Sequence, residues 1–227
     1  ISCDTADPRS RIYCLLGRKA GIPVLDLQFG SIQAAAVEWR FIIADKVAVW
    51  GQQALEILTK IHEVTKKQIE IIGSPRFDYL KTVSGESFLK LCKKHKIPAD
   101  TTSKFILFAS SYTIPSYDKI YSPKNLNSFK EKLFEISDRL DDFILLVKPH
   151  PMEDVNSLKA IAANYKNIVF INSTDDIRDY IPYCNLFITL GSTSTYDALL
   201  AEKMIISPNM PNLVWWDDVF IKQKVTT

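Results

Sequence analysis

The chain has 227 residues, of which 47% are apolar, and its 28 basic and 26 acidic side chains leave a net charge of +2. This composition predicts one or two folded domains with buried cores. It lacks the strongly basic balance of a nucleic-acid binder, so we expect no nucleic-acid partner. The four cysteines are scattered and no histidine lies at metal-ligand spacing, which favours neither disulfides nor a metal site. No apolar run reaches the ~18–20 residues of a membrane-spanning helix.

The first part of the chain alternates between helical and β-branched segments, a pattern typical of parallel strands joined by helical crossovers. The sequence predicts a helix over about 9–20, then strands over 24–27, 46–50 and 69–72. Each strand ends at or near a glycine, namely Gly30, Gly51 and Gly73. Such a glycine permits the tight turn of a ligand-facing loop, although an ordinary connection uses the same residue. Because the chain opens with Ile1 just before a turn-like stretch, we expect preceding sequence and an incomplete first domain.

The second part begins with a charged, helical stretch at 84–96, and we predict two Rossmann-like domains, residues 1–82 and 83–227. An almost wholly apolar run over 105–109 indicates a strand covered on both faces. Helices are predicted over 127–140, 155–165, 177–183 and 194–202, and strands over 143–147, 168–171, 186–190 and 204–207. The fold class is therefore α/β with two parallel-sheet domains.

One hydroxyl-rich motif follows the predicted strand at 186–190 and opens the next helix. It contains four consecutive hydroxyl residues after Gly191, namely Ser192, Thr193, Ser194 and Thr195. A helix start offers unpaired N–H groups and the positive end of the helix dipole, which favours a phosphate or diphosphate. The alternative is that one hydroxyl caps the helix and the others are solvated.

A second motif, Lys148-Pro149-His150-Pro151, lies at the carboxyl end of the predicted strand 143–147. Open α/β sheets hold their ligands at that edge. The two prolines restrict the backbone around His150, so the imidazole is held in a rigid turn. Together with Lys148 it suits contact with a phosphoryl group, by hydrogen bonding or, if protonated, by charge.

These two motifs resemble the C-terminal domain of GT-B transferases that build bacterial surface carbohydrates, including CDP-glycerol glycerophosphotransferases, capsule polysaccharide transferases and the related UDP-N-acetylglucosamine 2-epimerases. The segments 21–30, 44–51 and 72–78 resemble the family's N-terminal blocks. The resemblance implies two Rossmann-type domains facing across a cleft, with a nucleotide diphosphate contacted by His150 and by the helix start at 192–195. It also implies that Ser110 and Ser111 line the cleft.

On the acceptor side, the resemblance places Gln28, Gly30 and Ser31 in a loop where such families carry a Gln-His-Gly sequence. This chain has Phe29 at the histidine position, and a phenyl ring cannot exchange a proton. Asp26, two residues before the loop, is a conceivable catalytic replacement, although a strand aspartate is as often part of hydrogen-bonded structure.

Several other residues give weaker functional predictions. Trp215 and Trp216 offer an aromatic platform for sugar but more often such a pair packs in a core. His62 and His95 lie in lysine-bearing stretches and are expected to be solvated. The basic run 93–96 allows a peripheral contact with the inner face of a membrane, although such runs are usually solvated.

The sequence thus favours a cytoplasmic enzyme that transfers a sugar or polyol phosphate from a nucleotide-activated donor to a carbohydrate or lipid-linked acceptor. No cofactor and no metal enter that scheme. Two alternatives stay open: a UDP-sugar 2-epimerase-like enzyme, which needs acidic or basic groups in the first domain, and a noncatalytic sugar-nucleotide or glycan-binding protein.

Overall fold

The computed structural model describes residues 7–34, 37–82, 85–97, 104–112 and 123–208. Contacts along the chain divide it into two compact units, the first ending at Asp78 and the second beginning at Tyr79. The boundary predicted after residue 82, and the acceptor and donor roles of the two units, stay predictions. Trp215 and Trp216 lie outside the described residues. In the described ranges no helix is long and apolar enough to cross a membrane.

The first unit is built on a three-stranded parallel sheet in the order β1-β2-β3. Its helices and strands are α1 (Pro8–Lys19), β1 (Leu25–Leu27), β2 (Lys46–Val49), α2 (Gln52–Lys60) and β3 (Ile69–Ile71). Helix α1 begins where the Asp7 carboxylate accepts the Arg9 N–H, with Pro8 in the first turn. The central strand β2 is buried on both faces, since Val47 and Val49 on one face are fully inaccessible to solvent and Ala48 on the other is 3% exposed.

The second unit contains a five-stranded, wholly parallel sheet in the order β6-β5-β4-β7-β8. Its strands are β4 (Lys104–Ala109), β5 (Phe143–Lys148), β6 (Ile168–Phe170), β7 (Leu186–Thr189) and β8 (Met204–Ile206). Its helices are α3 (Gly85–His95), α4 (Pro123–Asp138), α5 (Val155–Ala162) and α6 (Ser194–Leu200). The chain builds outward from β4 in one direction through β5 and β6, and then in the other through β7 and β8. The direction therefore switches between β4 and β7.

Strand β4 is the centre of two separate apolar clusters. Phe105, Leu107 and Ala109 contribute to the cluster on one face of the sheet. Ile106 and Phe108 contribute to the cluster on the other face. This alternation explains why the run at 105–109 is apolar at every position, because both faces of a parallel sheet are covered.

The helix predicted over 177–183 is wrong. The segment instead forms two 3₁₀ turns, Ile177–Asp179 and Ile181–Tyr183, the first capped by Asp176. Pro182 accounts for the difference, because it has no N–H to donate and its ring clashes with the carbonyl four residues earlier in an α-helix.

Candidate functional site

Three loops of the second unit meet at the carboxyl edge of its sheet. They follow β4 at Ser110, β5 at Pro149 and β7 at Leu190. Since β4 pairs with both β5 and β7, and neighbouring strands lie about 4.8 Å apart, the ends of β5 and β7 are about 10 Å apart. This edge, at the point where the strand order reverses, is where open α/β sheets bind their ligands.

His150 is held in a tight turn after β5. Its ring stacks on Tyr112 from the loop after β4, with centroids 4.4 Å apart and planes inclined by 25°. Its Nδ1 accepts a hydrogen bond from the Met152 backbone N–H at 3.1 Å. A ring nitrogen that accepts a hydrogen bond carries no proton, so the neutral imidazole has its proton on Nε2.

The electrostatic surroundings favour that neutral form. Burial lowers the pKa of His150 below its usual 6.5, the Glu153 carboxylate opposes this shift, and the Lys148 ammonium adds to it. At neutral pH His150 is therefore a hydrogen-bond donor through Nε2–H rather than a cation. Such a donor suits a phosphate oxygen.

A buried ion pair that sequence reasoning missed lies beneath His150. Lys130 Nζ of α4 is 2.5 Å from Glu153 Oε1, and each side chain is only 5% exposed. Ser110 Oγ donates to the same Glu153 oxygen at 2.8 Å, and the His150 backbone N–H donates to Oε2 at 3.1 Å. Lys130 also donates to the Ser111 carbonyl at 2.9 Å. The predicted residues Ser110 and Ser111 are thus joined to His150 through Glu153 and Lys130.

The sequence does carry a signal for Lys130. It lies on the apolar stripe of α4, four residues after Leu126 and three before Leu133, both of which are buried. A lysine in that position needs a buried partner. Nothing local identifies Glu153 as that partner.

Lys148 has a different environment from the one predicted. Its side chain is buried, and its Nζ donates to the Pro149 and Ser173 carbonyls at 3.2 and 2.9 Å. Burial lowers the pKa of Lys148, against the opposing influence of Asp175 and Asp176. Two of its three donors are therefore engaged, and the bond to Ser173 connects the end of β5 to the loop after β6. Its role as a phosphate ligand stays a prediction.

Of the four hydroxyl residues at the helix start 192–195, two face inward. Ser194 and Thr195 are buried; the Ser194 hydroxyl donates to Ser192 Oγ and the Thr195 hydroxyl to the Ser192 carbonyl. Ser192 and Thr193 are half-buried. Gly191 has a φ of 83°, a conformation that favours glycine. Two of the four hydroxyls therefore form the turn itself, and ligand binding by this segment stays a prediction.

In the first unit, the Gln28 side chain joins the loops after β1 and β2. Its Nε2 donates to the Gly30 carbonyl at 2.8 Å and its Oε1 accepts the Trp50 N–H at 2.7 Å. Ser31 is half-buried, whereas Phe29 is 55% exposed. Both ends of the Gln28 amide are therefore engaged in local structure, and its predicted place beside an acceptor stays a prediction.

Asp26 lies in the middle of β1, opposite Val47 of β2, and is 3% exposed, less than its neighbours Leu25 and Leu27. Its side chain therefore points into the unit, and its catalytic role stays a prediction.

The expectation that His62 and His95 are solvated is wrong. His62 is 2% exposed and its Nε2 lies 2.8 Å from the Gln33 carbonyl. The side chain of His95 is 10% exposed and contacts Tyr180 and Asp175 at 2.7 and 2.8 Å. Both histidines belong to packed structure.

The basic run 93–96 is also partly engaged within the unit. Lys94 pairs with Asp175 at 2.7 Å. Within the part of the chain that the structure describes, no cluster of His, Cys, Asp and Glu could hold a metal ion.

A family model described as CDP-Glycerol:Poly(glycerophosphate) glycerophosphotransferase matches residues 34–207. The chain belongs to this family. The matched range includes most of both units and all three loops of the candidate site. A comparison with curated protein sequences finds no match.

Several solved structures have a similar fold. UDP-GlcNAc 2-epimerase from Neisseria meningitidis, bound to UDP-GlcNAc, has a TM-score of 0.67 at 11% identity, with 88% of this chain and 57% of that chain covered. The S. aureus MnaA–UDP complex has a TM-score of 0.65 at 15% identity, with 88% and 54% covered. The wall teichoic acid polymerase TagF has a TM-score of 0.57 at 15% identity, with 90% and 52% covered.

These likenesses show the fold, which is GT-B-like with two parallel-sheet units, as the sequence predicts. The glycerophosphotransferase family matches one of those that the motifs resemble, and this recognition is confirmed. The chain spans about half the length of the solved structures that it resembles.

Proposed function

We propose that the chain contains the donor-binding part of a transferase that moves a glycerophosphate or glycosyl group from a nucleotide-activated donor during surface-polymer synthesis. The donor's phosphates bind at the carboxyl edge of the second sheet, beside His150 and the loops that begin at Ser110 and Leu190. A nucleotide with a cytosine base and a glycerophosphate group is the donor that the family model favours.

The observation that carries this proposal is the fixed imidazole of His150 at the strand-order switch, within the range matched by the family. Its Nε2–H is a neutral donor, held by a turn and a stacked Tyr112 ring. A preorganised donor of this kind contributes most where negative charge develops during the reaction.

In glycerophosphate transfer, an acceptor hydroxyl oxygen forms a new bond to the outer phosphorus of the donor. The bond between that phosphorus and the oxygen bridging the two phosphates breaks, and its electron pair stays on the departing nucleoside monophosphate. The role proposed for His150 is a hydrogen bond to the phosphate that gains this charge. The acceptor's proton passes to a base or to water, and Phe29 cannot take it.

Epimerase and noncatalytic alternatives rest on the first unit. An epimerase must remove and return a carbon-bound proton, and the loop at 28–31 offers an engaged amide and an exposed phenyl ring for this task. The same phenyl ring keeps a noncatalytic nucleotide-binding protein in consideration. Identifying the reaction products distinguishes both alternatives from a transferase.

The test begins with thermal unfolding in the presence of CDP, CDP-glycerol, UDP, UDP-N-acetylglucosamine and GDP. A ligand at one hundred times its Kd stabilises the folded state by about 2.7 kcal/mol. We expect a shift with the cytidine compounds, reduced in His150→Gln and retained in Lys132→Gln, a change on the exposed surface of α4. No shift with any compound would refute the donor site, and an equal shift in His150→Gln would remove His150 from it.

The product nucleotide then identifies the transferred group. Transfer of glycerophosphate releases a nucleoside monophosphate, whereas transfer of a glycosyl group from a sugar nucleotide releases a nucleoside diphosphate. We expect CMP from CDP-glycerol in the presence of a polymer acceptor. Stable binding without release of either nucleotide would favour the noncatalytic alternative.

A further inference from the structure

The carboxylate of Glu153 connects three elements of the second unit. Its Oε1 accepts from Lys130 of α4 and from Ser110 after β4, and its Oε2 accepts the backbone N–H of His150 after β5. A buried carboxylate is stable only when charge and hydrogen bonds compensate its lost hydration. These three donors, one of them cationic, provide that compensation.

Glu153 and His150 also hold each other reciprocally. The His150 N–H donates to the Glu153 carboxylate at 3.1 Å, and the Glu153 N–H donates to the His150 carbonyl at 2.9 Å. Both backbone polar groups of His150 are thereby fixed by one residue. The turn that results places the Met152 N–H 3.1 Å from His150 Nδ1.

The state of the imidazole follows from this turn. The Met152 N–H cannot donate to a protonated Nδ1, so the neutral ring keeps its proton on Nε2. The Lys130 ammonium compensates the Glu153 charge, which limits the pull of that carboxylate toward a protonated ring. Tyr112 covers one face of the ring and reduces its hydration.

We propose that Glu153 is a positioning residue for His150: its buried carboxylate, paired with Lys130, holds the turn at 150–153 so that the imidazole presents Nε2–H as a hydrogen-bond donor. Only the catalytic importance of this positioning role rests on the proposed function. The protonated nitrogen can be measured without nucleotide, so failure of the donor site and failure of the positioning role are distinguishable.

The experiment is nitrogen NMR of protein with ¹⁵N-labelled histidine. The chain has three histidines, and loss of one set of signals in His150→Gln assigns the residue. In the natural sequence we expect the His150 Nδ1 signal at the position of an unprotonated nitrogen and Nε2 at that of an N–H. In Glu153→Gln, one side-chain oxygen cannot accept from all three donors, so we expect the two signals to move toward each other as the tautomers mix.

Two further variants keep the test decisive. Lys130→Met with Glu153→Leu removes both charges and leaves no buried ion alone, so this variant is expected to fold even if Glu153→Gln does not. It should also lose the pure Nε2–H tautomer. Glu135→Gln makes the same chemical change in an exposed pair with Arg139 on α4 and should leave the His150 signals unchanged.

The outcomes separate clearly. A folded double variant, or a folded Glu153→Gln, whose His150 keeps the natural tautomer overturns the positioning role. Mixed tautomers in these variants, with unchanged signals in Glu135→Gln, support it. If cytidine nucleotides fail to shift the His150 signals of the natural protein, the proposed donor site fails while the positioning result stands.

Discussion

Replacing Lys130 with methionine should destabilise the second unit strongly, because it removes one charge of a buried ion pair. The change keeps most of the aliphatic stem and deletes the ammonium group 2.5 Å from Glu153. Because both side chains are 5% exposed, the remaining carboxylate stays buried with hydrogen-bond donors but no countercharge. Removing one partner of such a pair costs about 3–5 kcal/mol.

The same change at an exposed pair provides the control. Lys60 and Glu56 lie four residues apart on α2, with side chains 72% and 45% exposed. Pairs of this kind contribute about 0.3–0.5 kcal/mol, so Lys60→Met should have little effect. At roughly 2–4 °C per kcal/mol for a domain of this size, Lys130→Met should lower Tm by about 6–20 °C.

Circular dichroism during heating measures the loss, and hydrogen exchange of the peptide containing β4 assigns it to the second unit. Adding Glu153→Leu to Lys130→Met should recover much of the stability, because no unpaired charge remains buried. A Lys130→Met protein no less stable than Lys60→Met would refute the buried ion pair.

Three other changes test separate features. Gly191→Ala should cost about 1–2 kcal/mol because φ is 83°, whereas Gly51→Ala, at an extended φ of −169° with open space around it, should cost only about 0.5–1 kcal/mol as a helix cap; a smaller cost at Gly191 than at Gly51 in urea unfolding would contradict the positive φ. Tyr180→Phe removes a buried hydroxyl that donates to Asp175 at 2.8 Å and should cost about 1.5–3 kcal/mol; a neutral effect on the urea midpoint would count against this bond. Burial lowers the pKa of His150 below 6.5, so the unfolded chain binds more protons between the folded pKa and 6.5, and stability should fall as pH drops through that window; His150→Gln should remove part of the slope, and an unchanged slope would contradict the shift.

The strands could be predicted from sequence because a strand that is buried on both faces is apolar at nearly every position. The apolar run at 105–109 is β4, and its alternate residues enter different clusters. The motif at 148–151 was placed at a strand end by the same logic. The helix predicted over 177–183 is wrong because Pro182 cannot take part in the hydrogen bonding of an α-helix interior.

The side-chain network could not be predicted because its partners are distant in sequence. Lys130 meets Glu153 only when α4 packs beside the end of β5. His95 was expected in solvent because its neighbours are lysines, yet it contacts Tyr180, which lies far along the chain. The hydroxyls at 192–195 predict the start of α6, but they give no indication that Thr195 turns inward.

The position of β4 has a consequence for synthesis on the ribosome. Its two neighbours in the sheet are β5, the next strand along the chain, and β7. Next to β7, the Asn185 side chain accepts a hydrogen bond from the Phe105 N–H, although the two residues are 80 positions apart in the sequence. Until β7 emerges, one edge of a highly apolar strand has no partner. Unpaired apolar edges promote aggregation of nascent and refolding chains, so translation speed between residues 109 and 186 and the availability of chaperones should determine how much of this protein reaches its folded state.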